Sequence, residues 1–208
     1  MKNLWIFDFD GTLVDSEKTI KACYLSVAKE LIPERVNYIE SMIIGPTLDE
    51  TVKLILTNKK IHLKEKFIQK FQMIYDNEFI YKTEKYEGVD QTLYKLIENN
   101  DHLALATNKR STPTYNLINF FNWNILFEWI VCIDEYPIAK NKSDLIKIKL
   151  LNKNLYKKIF MVGDTMNDAN AASDNDINFI LAEYGYGSNE DWSKAKIFKK
   201  INKINNLI

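Results

Sequence analysis

Asp8-Phe9-Asp10-Gly11-Thr12 stands directly behind a short apolar run, Leu4 to Phe7, and that placement makes two ordinary aspartates a candidate reactive pair. The run is aromatic and branched and is closed by an Asp-Gly turn signal, so it predicts a buried strand. Alternation about Phe9 then lets Asp8 and Asp10 both reach a site beyond the carboxyl end of that strand. Two carboxylates about 4 Å apart repel by about 4 kcal/mol at an effective dielectric of about 20. A divalent cation offsets this, and a hard ion with oxygen ligands suits acids that no His or Cys cluster accompanies. A second segment, Gly163-Asp164-Thr165-Met166-Asn167-Asp168, follows another apolar run, Ile159 to Val162. The expectation is a magnesium site at one sheet edge, its acids Asp8, Asp10, Asp164 and Asp168 arriving from separate strand tips.

Two further segments carry groups suited to an anion. Thr107-Asn108-Lys109 follows the run Leu103 to Ala106, and a hydroxyl and an amide at a strand end can donate to anionic oxygens. Lys140, within Pro137-Ile138-Ala139-Lys140-Asn141-Lys142-Ser143-Asp144, can neutralise the acids and a bound phosphate together. Singly, each piece has a plain structural explanation: Asp-Gly as a turn, Thr-Asn as a helix cap, the lysine as a solvated loop residue. What argues for a site is their order along one chain, each at the tip of a predicted strand.

The elements that must position them alternate. Apolar runs also occur at Trp129 to Ile133 and Ile177 to Leu181, with helically spaced residues between runs, such as Leu93, Leu96 and Ile97, or Leu145, Ile146, Leu150 and Leu151. That alternation predicts an α/β fold, a Rossmann-like parallel sheet sandwiched by helices. Residues 16–83 break the pattern, with helical spacing at Ile20, Tyr24, Val27, Ala28 and Leu31 and again at Phe67, Phe71, Ile74 and Tyr75. They read as an inserted α-helical domain, leaving residues 1–15 and 84–208 as the α/β core. Thr47 with Glu50 has the spacing of a capping box, so one inserted helix should begin near Leu48. The C-terminal stretch, with Lys194, Lys196, Lys199, Lys200 and Lys203 among Ile197, Phe198, Ile201 and Ile204, is expected to be a final helix with a solvated lysine face.

Composition narrows the functions further. The 208 residues hold 28 Lys+Arg against 28 Asp+Glu, so there is no global positive field to gather the protein on nucleic acid or anionic lipid. No uncharged apolar run reaches the length of about 18 residues that a membrane helix needs. Asp8 and Asp10 come too early to leave room for the apolar region of a signal peptide. A cytoplasmic protein without nucleic-acid or membrane partners, monomeric or weakly dimeric, is expected. Cys23 and Cys132 are too isolated for a disulfide framework or a zinc site and read as buried apolar residues.

Taken together, DFDGTLVDSE, ATNKR, YPIAKNKSD and VGDTMNDANAA resemble the four successive motifs of the haloacid dehalogenase-like hydrolase superfamily. The helical insertion after the first motif is similar to the cap of its phosphoglycolate phosphatase, β-phosphoglucomutase and pyrophosphatase-like branch. The resemblance implies that Asp8 is a nucleophile forming an aspartyl phosphate and that Asp10 is the general acid and base. It implies that Thr107, Asn108 and the backbone N–H of Gly11 bind the phosphoryl oxygens and that Lys140 holds nucleophile and phosphate. Mg²⁺ would be bound by Asp8, the carbonyl of Asp10 and Asp164, with Asp168 supporting it. An acid at position 10 separates this chain from the true dehalogenases and the transport ATPases of the superfamily. Two departures stand out. Lys140 is followed by Asn141, where Lys-Pro is usual, and Lys142 lies two residues on; the spacing of Pro137 and Asp144 favours Lys140. The run at Lys109 and Arg110 is more basic than the motif needs; its extra charges either touch substrate or form the solvated start of the next helix, the second being slightly favoured. Three functions fit: a phosphatase of a small phosphorylated metabolite such as phosphoglycolate, a sugar phosphate or a nucleoside monophosphate; a phosphomutase; and a catalytically silent phosphate-binding regulator. Substrate selection is expected from the insertion, with Ile44, Gly45, Pro46 and Thr47 as a candidate loop facing the site.

Overall fold

The computed structural model describes residues 1–42 and 47–208. They form two compact units, Met1–Asp15 with Glu84–Ile208, and Ser16–Thr83. The first is built on six parallel strands: β1 (Lys2–Phe7), β4 (His102–Thr107), β5 (Trp129–Cys132), β6 (Tyr156–Gly163), β7 (Asn178–Ala182) and β8 (Ile197–Ile201), ordered β5-β4-β1-β6-β7-β8. The remaining strands, β2 (Val14–Asp15) and β3 (Glu84–Lys85), pair antiparallel where the chain leaves this unit and returns. Among the described residues, no helix is long and apolar enough to cross a membrane.

A parallel sheet covered on both faces needs apolar residues at successive positions, and β1 supplies them: Leu4, Ile6 and Phe7 are fully buried and Trp5 nearly so. Leu4 and Ile6 join Ala104, Val131, Met161 and Leu181 in a core with Leu145 and Ile146 of α7 (Lys142–Lys149) and Ala169 and Ala172 of α8 (Met166–Asp174). On alternate positions, Trp5 stacks on Phe160 at 4.4 Å between ring centroids, and Phe198 of β8 lies 5.6 Å from Phe160. Helices α5 (Val89–Glu98) and α6 (Ser111–Phe120) flank β4 in sequence and complete the α/β alternation. Because β1 is central, the chain runs outward to β5 on one side and then crosses to β6 on the other, and that reversal opens a crevice at the carboxyl ends of the strands.

The C-terminal stretch departs from expectation. Ile197–Ile201 is the edge strand β8, and Lys199 and Lys200 are exposed along it. The spacing of Ile197, Ile201 and Ile204 fits a helix, but the β-branched and aromatic residues at 197, 198 and 201 extend the sheet, and the lysines protect its open edge from pairing with another chain.

The second unit is helical in all its described elements: α1 (Glu17–Leu31), α2 (Val36–Ser41), α3 (Leu48–Ile55) and α4 (Lys64–Ile74), which runs on into a π-helical turn at Tyr75–Phe79. Its core stacks Tyr24 on Phe71 at 4.4 Å and Phe71 on Tyr75 at 5.3 Å. Helix α3 begins at Leu48 because Thr47 and Glu50 form the capping box: the Glu50 N–H donates to Thr47 Oγ1 at 3.4 Å and the Thr47 N–H donates to Glu50 Oε2 at 3.0 Å. Of the loop expected to face a substrate, Ile44, Gly45 and Pro46 lie outside the described residues.

Candidate active site

Strand register assembles the site. Phe7 pairs with Leu105 of β4 and with Val162 of β6, and the Asp8 N–H donates to Val162 O at 2.9 Å. Asp8 and Asp164 therefore directly follow the tips of β1 and β6, and Thr107 is the last residue of the adjacent β4. Phe9 turns inward and is fully buried, which leaves Asp8 and Asp10 on the other side of the backbone, and the Phe9 carbonyl accepts N–H groups from Leu13 at 2.9 Å and Val14 at 3.1 Å to close the turn.

Asp8, Asp164 and Asp168 are buried and can each offer one oxygen within 4.8 Å of the others. Asp164 is fixed by both oxygens: Thr12 Oγ1 donates to Oδ1 at 3.0 Å and the Tyr186 N–H to Oδ2 at 2.7 Å. Asp168 organises its neighbours, with Oδ2 accepting from the N–H groups of Asp164 and Thr165 at 3.1 and 2.9 Å and from Thr165 Oγ1 at 2.8 Å. Its Oδ1 accepts from the Lys142 ammonium. So much of Asp168 is engaged in this way that its geometry suits orienting the site better than direct ligation.

The lysine at the centre is Lys142, not Lys140. The Lys142 ammonium is buried between Asp8, 2.6 Å away, and Asp168. Lys140 is exposed and contributes its backbone N–H to Asp144 Oδ2 at 2.8 Å, part of the cap of α7. The cause is local: Asn141 caps α7, its side chain accepting from the Asp144 N–H at 3.0 Å, so Lys142 is the first helical residue. It shares a face with buried Leu145 and Ile146, three and four residues on.

Asp10 is met from the turn that follows β4, where Lys109 Nζ donates to both its oxygens, at 3.0 and 3.1 Å. The expectation of a solvated Lys109 is thereby corrected: its side chain is only 7% exposed. Thr107 is buried, its Oγ1 accepting the Lys109 N–H at 3.1 Å, and the Oδ1 of Asn108 is a buried acceptor with no hydrogen bond.

The electrostatics leave an excess of negative charge. Burial pushes Asp8 above the usual carboxylate range, against the pull of Lys142 and with a further push from Asp168. Burial raises Asp164 likewise, with Asp168 and Asp8 adding to the rise against the Tyr186 N–H and Lys142. Burial works against the charge of Lys142, but Asp168 and Asp8 outweigh it and hold the ammonium above its ordinary range. When all three carboxylates are ionised, they face one ammonium with two negative charges to spare, the complement of a divalent cation, and the donors are all oxygen. The residues present fit such an ion.

A sequence model of the family described as "Haloacid dehalogenase-like hydrolase" matches residues 5–182. The chain belongs to that family. It is 28% identical over 205 residues to a phosphoglycolate phosphatase of Psychrobacter arcticus, covering 91% of this chain and 87% of the relative. It is 26% identical over 171 residues to pyrophosphatase PpaX of Listeria welshimeri, covering 80% and 76%. Among solved structures, a predicted phosphoglycolate phosphatase from Haemophilus somnus shares the fold, with a TM-score of 0.82, 22% identity and coverage of 99% of this chain and 96% of that one.

Within this hydrolase fold, the site also uses a loop that sequence reasoning passed over. Between Ala182 and β8, the segment Tyr184-Gly185-Tyr186-Gly187 wraps Asp164: a Cβ on Gly185 would lie 2.3 Å from the Asp164 Cβ and 2.4 Å from the Gly11 carbonyl oxygen, and one on Gly187 would lie 2.0 Å from the Asp164 carbonyl oxygen. Gly11, at φ +85°, is confined in the same way by the Asp164 carboxylate. The signal was present, since two of only six glycines fall within three residues just after a strand, the mark of close backbone approach. Gly185→Ala is expected to cost about 1–3 kcal/mol in urea unfolding, because backbone and a short carboxylate side chain have little room to yield. A cost near zero would show that the loop is not packed on Asp164.

Proposed function

We propose that this hydrolase is a Mg²⁺-dependent phosphatase acting on a small phosphorylated metabolite through an aspartyl-phosphate intermediate. The observation that carries the reading is the Lys142 ammonium between Asp8 and Asp168, with Asp164 beside them and a second acid, Asp10, two residues after Asp8. Bound Mg²⁺, held by Asp8, Asp164 and the main-chain carbonyl of Asp10, supplies neutralisation of the phosphoryl charge. Asp8 attacks phosphorus, forming the Asp8 O–P bond as the ester P–O bond breaks, and the leaving oxygen takes a proton from Asp10. Water then attacks the same phosphorus, gives a proton back to Asp10 and releases Asp8 and inorganic phosphate. Lys142 keeps the nucleophile in place and offsets phosphoryl charge, while Thr107 and Asn108 donate to the phosphoryl oxygens; the Gly11 N–H, expected to join them, is instead given to the Val14 carbonyl at 2.8 Å and closes the turn. The names of the two relatives, a phosphoglycolate phosphatase and a pyrophosphatase, support phosphate ester or anhydride substrates. In this reading the helical unit acts as the cap that selects among them.

The test is hydrolysis of p-nitrophenyl phosphate with EDTA and with Mg²⁺, followed by a panel of sugar phosphates, phosphoglycolate and nucleoside monophosphates. Phosphate release that EDTA stops and Mg²⁺ restores is expected. Turnover indifferent to EDTA would remove the metal, and isomerisation of a sugar phosphate activated by its bisphosphate would replace hydrolysis with mutase chemistry.

A further inference from the structure

We propose that Lys109 is the positioning residue for Asp10, fixing the direction of the group that protonates the leaving oxygen; this rests on the phosphatase reading. The pair joins two strand tips 99 residues apart in sequence, and it is nearly dry, with side chains 7% and 20% exposed. Among the described lysine pairs, those of Lys142 with Asp8 and Asp168 are drier still, whereas surface pairs are far wetter, as at Lys95 and Glu98, where exposures are 51% and 66%. Withdrawing an ammonium from water is costly, and a buried pair is poor evidence of a stability role. Here one ammonium reaches both oxygens of the carboxylate, which restrains rotation as well as position. The lysine is itself fixed from below by its N–H to Thr107 Oγ1 at 3.1 Å, so the residue proposed to bind the phosphoryl group and the residue directing Asp10 belong to a single turn.

Such restraint has a kinetic consequence. A general acid must come within about 2.6–3.2 Å of the oxygen it protonates, and a misplacement of about 1 Å costs about 10²-fold. An alkyl leaving group departs only with a proton, whereas p-nitrophenolate departs without one. Loss of Lys109 therefore falls on the first kind of ester and spares the second. A lysine that simply bound the substrate phosphate would affect both alike.

The experiment compares kcat/KM, which reports steps through ester cleavage, for wild type, Lys109→Met and Lys109→Arg. The esters are p-nitrophenyl phosphate and the alkyl monophosphate that the wild type turns over best, with saturating Mg²⁺ throughout. Lys109→Met should lose about 10²-fold on the alkyl ester and less than about a tenth of that on the nitrophenyl ester. Lys109→Arg, which keeps a cation within reach of Asp10, should recover most of the alkyl activity. Equal losses on the two esters, or no loss on either, overturn the proposal and leave the phosphatase reading standing. A wild type inactive on every ester overturns the phosphatase reading and this inference with it.

Discussion

Lys142→Met lowers kcat by about 10³-fold, the expected effect of removing a preorganised charge from a desolvated site, while Lys140→Met stays within about a factor of two of wild type. The contrast follows from burial. Lys142 is 3% exposed and touches Asp8 and Asp168, whereas Lys140 points to solvent beyond the cap of α7. Stability should divide the two variants in the same way. Methionine fills much of the volume of the lysine but leaves two buried carboxylates without their counter-charge, a loss of about 3–5 kcal/mol. Added Mg²⁺ should return part of that stability to Lys142→Met by meeting the same carboxylates. Urea unfolding with and without Mg²⁺ measures the stability change, and single-turnover hydrolysis well below the midpoint measures the chemistry. If Lys140→Met proved the damaging substitution, the assignment of α7 to the site would be wrong.

The lysine also shows what the sequence alone could decide. The strand tips carrying Asp8, Thr107 and Asp164 were legible because each follows an apolar run closed by turn-forming or polar residues, and the register of β4, β1 and β6 brings those tips together. The choice between two lysines turned on where α7 begins. Spacing from Pro137 and Asp144 pointed to Lys140, but the cap at Asn141 makes Lys142 the residue in phase with Leu145 and Ile146. A lysine in the first turn of a helix opposes the helix dipole, which is itself a hint that something else holds it there. The partner of Lys109 is hidden for a related reason: charge in a sequence slightly favours solvent over a site until a partner is known, and Asp10 lies 99 residues away. The C-terminal lysines erred in the opposite direction. Their period of three to four suited a helix, yet an edge strand tolerates the same lysines on its open side, and only the neighbouring β7 distinguishes the two.

Asp8→Asn is expected to abolish turnover, by at least about 10⁴-fold, while the melting temperature holds or rises. The two halves of the result have different origins. The amide removes the nucleophilic oxygen, so the Asp8 O–P bond cannot form. Its shape still fills the tip of β1, and its carbonyl oxygen can still accept from Lys142. Burial makes a charged Asp8 costly in the folded state, and Asp168 adds to that cost. Removing the charge relieves like-charge repulsion in a cluster that holds three carboxylates to one ammonium. A purely structural aspartate would behave in the reverse manner, losing stability and keeping activity in the folded fraction. Acid quenching of wild type after brief mixing with labelled substrate should trap phosphate on the protein, and the Asn variant should trap none. Retained turnover in Asp8→Asn would replace covalent transfer with direct attack by water.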